Sequence, residues 1–337
     1  MAVAVADRYV DRRSGPAGDA GGDGFALSIG AAVAIRWERR GRLFEPQRQR
    51  PWIVSHAALP VTDRVADERY RVYFSARDAD NRGHVGFCDL EVAGGVRVTG
   101  VCDSPVLGPG PLGAFDDAGV TTSCVVTRGD LKYLYYTGWS LGVSVPFYLA
   151  SGVAVSRDGG RSFERWSPAP LLERNQIDPL LNASPWVLVE GAVWRMWYVS
   201  ATAWTLDGGR PKHHYHIRYA ESLDGLRWTR EGRIAIDYAS AAEHALSRPC
   251  VIKDGAVYRM WFSCRGSSYR LGYAESDDGL SWTRRDEAAG LEPAATGWDS
   301  EMIAYPCAFV HDHVMHLLYN GNGYGASGFG HAVARRG

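Results

Sequence analysis

The sequence predicts an all-β chain, a single-domain five-bladed β-propeller with its ring closed by an N-terminal strand, and two repeats carry that prediction. The first repeat is a pair of strands: an apolar strand, a tight polar turn, and a second strand that runs into an aromatic-rich polar loop. It occurs as Ser55-His-Ala-Ala-Leu59 with Tyr70-Arg-Val-Tyr-Phe-Ser75, Ser123-Cys-Val-Val126 with Tyr133-Leu-Tyr-Tyr-Thr137, and Ser184-Pro-Trp-Val-Leu-Val189 with Trp194-Arg-Met-Trp-Tyr-Val199. It returns as Arg248-Pro-Cys-Val-Ile252 with Tyr258-Arg-Met-Trp-Phe-Ser263 and as Tyr305-Pro-Cys-Ala-Phe-Val310 with Met315-His-Leu-Leu-Tyr-Asn320. Short strands recurring about every 55 to 65 residues mark propeller blades, because each four-stranded unit needs neighbours to bury its faces. The second repeat is a hairpin, seen in Val153-Ala-Val-Ser-Arg-Asp-Gly-Gly-Arg-Ser-Phe163, Tyr219-Ala-Glu-Ser-Leu-Asp-Gly-Leu-Arg-Trp228 and Tyr273-Ala-Glu-Ser-Asp-Asp-Gly-Leu-Ser-Trp282. Its Asp-Gly pair supplies the positive φ of a tight hairpin, and the aromatic residue beyond packs one blade on the next.

These repeats divide the chain in order. Residues 1–25, rich in Gly, Ala, Asp and Arg and without the apolar core of a signal peptide, are expected to form a disordered tail. Residues 26–337 are expected to form the propeller, with blades at roughly 51–100, 115–170, 178–235, 243–290 and 298–337. The first blade carries a weaker hairpin, Gly83-His-Val-Gly-Phe-Cys-Asp-Leu90. The last ends at Gly328-Phe-Gly-His-Ala-Val-Ala334 with its outer strand missing. Residues 31–48 are expected to supply that strand, which would close the ring and remove a free edge.

Composition narrows the function. At 337 residues with no linker between repeats, one domain is expected, and no apolar run reaches membrane-spanning length. A formal net charge of −1 with no basic face argues against nucleic acid as a partner. The six cysteines lack metal-ligand spacing; Cys124, Cys250 and Cys307 take the same place in three first strands, where a small buried residue is wanted. Neither a metal nor another cofactor is expected, and a reducing, cytoplasmic location is inferred.

An up-and-down meander sorts its loops by parity. Turns after first and third strands share one face and are short, whereas the segments before first strands and after second strands share the other and are long and chemically loaded. Because first strands line the axis, that second face should hold a central funnel. The candidates there are His56, Arg77, Asp78, Asp116, Asp117, Trp139, Asp178, Trp204, Glu243, Arg248, Arg265, Trp298, Asp299, Glu301, Tyr305 and Asn320. Opposed carboxylates across a sugar-sized gap are the minimal equipment for glycoside hydrolysis, and flat aromatic faces stack on sugar rings. Each acid is also the kind of residue that caps a turn, and each arginine either pairs with such an acid or binds an anionic group of a ligand. His213, His214 and His216 read as a polar strand edge or a metal pair.

Acids ahead of first strands, combined with Ser-x-Asp-Gly-x-x-Trp hairpins, resemble the five-bladed propeller glycosidases, the arabinanase, xylosidase and invertase superfamily, over residues 26–337. The resemblance implies an aspartate as base or nucleophile, a second aspartate that orients, and a glutamate as acid; by position these are Asp117, Asp178 and Glu301, the last flanked by Trp298 and Met302. Two departures stand out: His56 occupies the place of an expected aspartate in the first blade, and the glutamate falls in the fifth blade instead of the third. The Asn-Asp-Pro-Asn-Gly signature of invertases is absent. The function so implied is that of a glycoside hydrolase-like enzyme using carboxylate acid-base catalysis on a small oligosaccharide or sugar conjugate. A phosphorylase or transglycosylase, and a binding propeller without catalysis, are the alternatives.

Overall fold

The computed structural model describes residues 35–335; the expected tail at 1–25 and the segment up to residue 34 lie outside it. An isolated strand comes first, β1 (Glu38–Phe44), and then one meander recurs. The first unit comprises β2 (Ser55–Ala66), β3 (Arg69–Arg77), β4 (Gly83–Glu91) and β5 (Arg97–Val101), and the second β6 (Gly119–Arg128), β7 (Leu131–Leu141), β8 (Phe147–Ser156) and β9 (Glu164–Arg165). The third has β10 (Asn182–Glu190), β11 (Val193–Asp207), β12 (Arg210–Ser222) and β13 (Ile234–Ile236), and the fourth β14 (Ala245–Asp254), β15 (Val257–Arg265), β16 (Tyr269–Ser276) and β17 (Thr283–Arg284). The last holds β18 (Ala304–His311), β19 (Val314–Asn320) and β20 (Phe329–Arg335), with β1 antiparallel to β20, so its order is β18-β19-β20-β1. The chain is thus all-β; single parallel bridges, Gly83 to Gly119 and Tyr215 to Ala245, link units into two larger open sheets.

First strands form a cycle of contacts: β2 lies on β6, β6 on β10, β10 on β14, β14 on β18, and β18 on β2. A repeated bond fixes this order. A polar side chain of four of the five second strands accepts the backbone N–H of the next first strand: Ser75 from Thr122 (2.8 Å), Thr137 from Ser184 (2.9 Å), Ser263 from Tyr305 (2.8 Å) and Asn320 from Leu59 (2.8 Å). Leu59, Ser184, Arg248 and Tyr305 each precede a proline and each sit at φ between 49° and 57°. Proline bars its predecessor from the right-handed helical region, and a bulge in each of these strands holds it in the left-handed one. The thiols of Cys124 and Cys250 are buried and meet the backbone of Val187 and Ala308 in the following unit, so a small residue there lets first strands approach.

The Asp-Gly hairpins join units at the periphery. In the third unit, Ser222 and Asp224 hydrogen-bond each other and cap the turn amides, while Gly225, at φ +75°, offers its carbonyl to Tyr135 of the preceding unit (2.9 Å). The same contact runs from Tyr73 to Gly160 (2.8 Å) and from Trp197 to Gly279 (3.1 Å). A Cβ on Gly225 would lie 2.7 Å from the Trp194 ring, so this position demands glycine for space as well as for φ.

Inside the last unit His316 and His331 stack, Nδ1 to Nε2 at 3.0 Å, both nearly solvent-free. Burial, then the neighbouring His311, lowers His316 to about 4; burial, then His316 and Arg40, lowers His331 to about 3. The bond between the rings needs one donor and one acceptor, and protonation of the accepting ring sets two donors against each other. Both folded values lie below the unfolded value of 6.5, so the unfolded chain binds more protons between about pH 6.5 and 4, and stability is lost as pH falls through that window. Urea titrations should show a loss of about 2–4 kcal/mol from this pair between pH 7 and 4.5. His331→Phe should flatten that acid limb; an unchanged limb would show that the pair does not set it.

Candidate functional site

Around the axis lies a cavity of about 230 Å³. Its wall comes from the loop class singled out by parity and from the starts of third strands: His56, Ser184, Ser247 and Tyr305 before or within first strands, Arg77, Trp139, Arg265 and Tyr324 after second strands, and Phe147, His213, Tyr215 and Tyr269 on third strands. Of the sequence candidates the structure brings together His56, Arg77, Trp139, Arg265 and Tyr305. It contributes Ser184, Phe147, Tyr215, Tyr269 and Tyr324, which the sequence reading did not single out. The bulge residues among them carried a legible signal, an X-Pro pair at one register in four first strands.

One side of the wall is an aromatic arc. Trp139 is fixed by a hydrogen bond from its Nε1 to Thr121 Oγ1 (3.0 Å) and meets Phe147, with ring centroids 5.2 Å apart. Phe147 continues to His213 (5.9 Å), which stacks on Tyr215 at 4.7 Å and 4°. Trp204 backs the arc, 5.3 Å from Phe147, and is outside the cavity wall. Opposite stand Tyr269, Tyr305 and Tyr324, with the Arg265 guanidinium 5.4 Å over Tyr269 and 5.6 Å over Tyr324. The Tyr215 and Tyr269 hydroxyls are 2.8 Å apart, and burial raises the pKa of both, as it does for Tyr305. Burial, then Arg77, lowers His56 to about 4; burial, then Arg265 and neighbouring cationic groups, does the same for His213. At neutral pH the wall therefore holds neutral imidazoles and phenols with two guanidiniums. Arg77 bonds Asn81 Oδ1 (3.0 Å), and neither arginine forms an ion pair among the described residues.

Among the described residues no carboxylate lines this wall, and the reason is a second repeated motif. Asp116 accepts from Tyr136 (3.1 Å) and Arg165 (2.8 Å); Asp178 from Tyr198 (2.9 Å), Ser200 (2.6 Å), Arg230 (2.8 Å) and Arg218 (3.4 Å); Asp299 from Tyr319 (3.0 Å) and Arg39 (3.3 Å). Glu243 is held by both terminal nitrogens of Arg284 (2.8 and 2.9 Å), whose plane lies over Phe262, the residue in the tyrosine's place. These acids latch the loop before a first strand to the outer strand of the same unit, which turns them from the axis. Arg39 of β1 performs in the last unit what Arg165, Arg230 and Arg284 perform in the others. The sequence carried this as an aromatic-x-Arg triplet, Trp37-Glu-Arg39, Phe163-Glu-Arg165, Trp228-Thr-Arg230 and Trp282-Thr-Arg284.

Other candidates also take positions different from those expected. Asp117 accepts the Gly113 amide (3.0 Å) within its own loop. Asp78 braces its loop through the Asp80 and Arg82 amides and His84. Glu301 is exposed, so Trp298 and Met302 do not enclose its carboxylate; Trp298 stacks on Tyr319 inside the last unit. Asn320 is buried and wholly engaged, accepting from Leu59 and donating to Ala57 and Gly328 carbonyls (2.7 Å each). Arg248 is buried at the floor, donating to the carbonyls of Thr122, Ser123, Leu59 and Pro60. Glu243, Cys264 and Asp286 converge within 4.8 Å, but Arg284 bonds both carboxylates and supplies the positive charge there.

Among solved structures the chain is similar to a glycoside hydrolase at 16% identity, covering 89% of this chain and 92% of that one with a TM-score of 0.67. It is also similar to a thermostable family-43 glycoside hydrolase (17% identity, 84% and 89%, TM-score 0.60). A third similar structure comes from work describing the GH130 family of mannoside phosphorylases as containing glycoside hydrolases that target β-1,2 mannosidic linkages in Candida mannan (16%, 90% and 95%, 0.67). At these identities the likeness shows the fold, that of propeller-type glycoside hydrolases. No protein-family model matches the sequence. Two Mycobacterium tuberculosis relatives, Uncharacterized protein MT1551 (strain CDC 1551 / Oshkosh) and Uncharacterized protein Rv1502 (strain ATCC 25618 / H37Rv), are each 42% identical over 299 residues, 89% of this chain and 99% of theirs. Near-complete coverage at that identity means that this chain belongs to the same family as MT1551 and Rv1502.

Proposed function

We propose that the chain is a five-bladed β-propeller, with β1 as the outer strand of its fifth blade, that binds one sugar residue of a glycoconjugate in its axial funnel. The observation that carries this is the wall: aromatic rings on two sides, guanidiniums and hydroxyls between them, and no carboxylate among the described residues. Aromatic faces cover the apolar faces of a sugar ring, and Arg77, Arg265, His56 and Ser184 offer hydrogen bonds to its hydroxyls. Hydrolysis by two carboxylates needs them about 5 to 10 Å apart across the scissile bond. Asp178, Asp117 and Glu301 are committed elsewhere or lie outside this wall, so recognition is better supported than two-carboxylate hydrolysis.

A second reading, glycosyl transfer to an anionic acceptor as in phosphorolysis, is favoured by Arg77 and Arg265, which form no ion pair among the described residues and line the same cavity. In that reading they hold the acceptor. The proposed place of work is the cytoplasm, a reading supported by six free cysteines, four of them buried.

Calorimetry against a panel of monosaccharides, methyl glycosides and short oligosaccharides should find a ligand, and Trp139→Ala should weaken it about tenfold or more while the melting curve stays near wild type. Turnover of a glycoside with a poor leaving group that Glu301→Gln abolishes and Trp139→Ala leaves intact would overturn the funnel reading in favour of a carboxylate enzyme.

A further inference from the structure

Arg265 and His213 line two cavities at once. Beyond the funnel they border a recess of about 420 Å³ whose other residues include Arg210, Lys212, His244 and Asp207. Its side chains are unevenly satisfied. Asp207, the one carboxylate on that wall, pairs with Lys212 (3.3 Å), and His214 bonds Thr205 (2.8 Å). Arg265 Nε, His213 Nε2 and His244 Nδ1 are buried without a hydrogen-bond partner among the described residues. Two such imidazole nitrogens and one guanidinium nitrogen are costly to leave unbonded, and all three are of types that hydrogen-bond a polyoxygen anion. The rings of His213 and His244 are 5.8 Å apart, and His244 is 6.0 Å from His214, yet no histidine belongs to a group that could converge on a metal ion among the described residues. The surplus of positive charge, Arg210, Lys212 and Arg265 against Asp207, also disfavours a cation.

Resting on the funnel reading above, we propose that this recess is a phosphate site and that the ligand class is a phosphorylated sugar, with its ring in the funnel and its phosphate bound by Arg265, His213, His244 and Lys212. Arg265 and His213 are common to both linings, and Arg265 stands over Tyr269 and Tyr324 on the funnel side while its Nε belongs to the unpartnered group. Burial, and then the cations Arg265 and Lys212 with the neighbouring imidazoles, hold His213 and His244 at about 4, so a dianion placed among them relieves the same repulsion. A neutral imidazole has one N–H, and its tautomer follows the acceptor that is present.

The test compares sugar 1-phosphates of hexoses and pentoses, the matching methyl glycosides, and inorganic phosphate, each titrated calorimetrically into the full chain and into Lys212→Gln and His244→Asn. A sugar 1-phosphate should bind about tenfold or more tightly than its methyl glycoside, roughly the worth of one charge-assisted hydrogen bond. Inorganic phosphate should compete with it, and either variant should erase most of the preference while leaving methyl glycoside affinity within about twofold. Equal affinity for the two ligand types, with Trp139→Ala still weakening both, overturns the phosphate site and leaves the funnel reading standing. Failure of every sugar to bind overturns both. A preference that persists in both variants places the phosphate elsewhere and also overturns this site.

Discussion

An Arg248→Met variant should be less stable than the wild-type chain by about 3–5 kcal/mol in urea denaturation, with no measurable ligand at the site needed to see it. The guanidinium comes from the fourth unit and donates to two carbonyls of the first, Leu59 and Pro60, and two of the second, Thr122 and Ser123. It is 1% exposed and pairs with no carboxylate among the described residues, so its charge is stabilised by carbonyl dipoles and by the Trp186 ring 6.0 Å away. Removing it relieves a desolvation cost but leaves four acceptors to be resolvated at the floor of a narrow cavity, and the second effect outweighs the first. Lysine, with three donors on a single atom, cannot span both pairs of carbonyls, so Arg248→Lys should recover only part of the loss. Stability within about 1 kcal/mol of wild type in Arg248→Met would mean that the floor holds without this tie and would return Arg248 to the ligand-binding group.

Asp178→Asn should cost about as much, 3–5 kcal/mol on the same order, because it leaves Arg218 and Arg230 half-buried beside a neutral amide and presents an N–H where Tyr198 and Ser200 donate. Glu301→Gln, at an exposed side chain, should change stability by less than about 0.5 kcal/mol. The contrast separates a latch from a catalyst. A catalytic Asp178 would lose turnover in a chain that melts normally, whereas a latch loses the fold first. Normal melting of Asp178→Asn, together with lost activity on any glycoside, would refute the structural role.

What was legible before the structure follows from range. The Asp-Gly hairpins close over three or four residues, so Ser222, Asp224, Gly225 and Trp228 state their turn within one short segment. The pairing of β1 with β20 was readable from an arithmetic gap, a last unit short of one strand. The direction of the acids was not, because a carboxylate ahead of a strand looks the same whether it faces the axis or an arginine 41 to 52 residues later. Its partner has to be found in the aromatic-x-Arg triplet of the outer strand, and in the last unit that triplet stands at the other end of the described chain, Arg39 against Asp299. Asn320 misled for a related reason: an amide at the end of a second strand offers hydrogen bonds to a ligand or to backbone equally well, and the backbone of Leu59 claims it.

The left-handed residue before proline in four of the first strands separates two things that most sites keep entangled. Leu, Ser, Arg and Tyr fill that socket in turn, the main chain sets the turn in all four, and only at Arg248 does the side chain also tie the scaffold. Drift at Ser184 or Tyr305 can therefore rewrite what the cavity recognises one residue at a time without asking the scaffold to refold, whereas drift at Arg248 cannot. A lineage built on this scaffold is free to change its cavity wall faster than its shape, and relatives that share the shape need not share that wall.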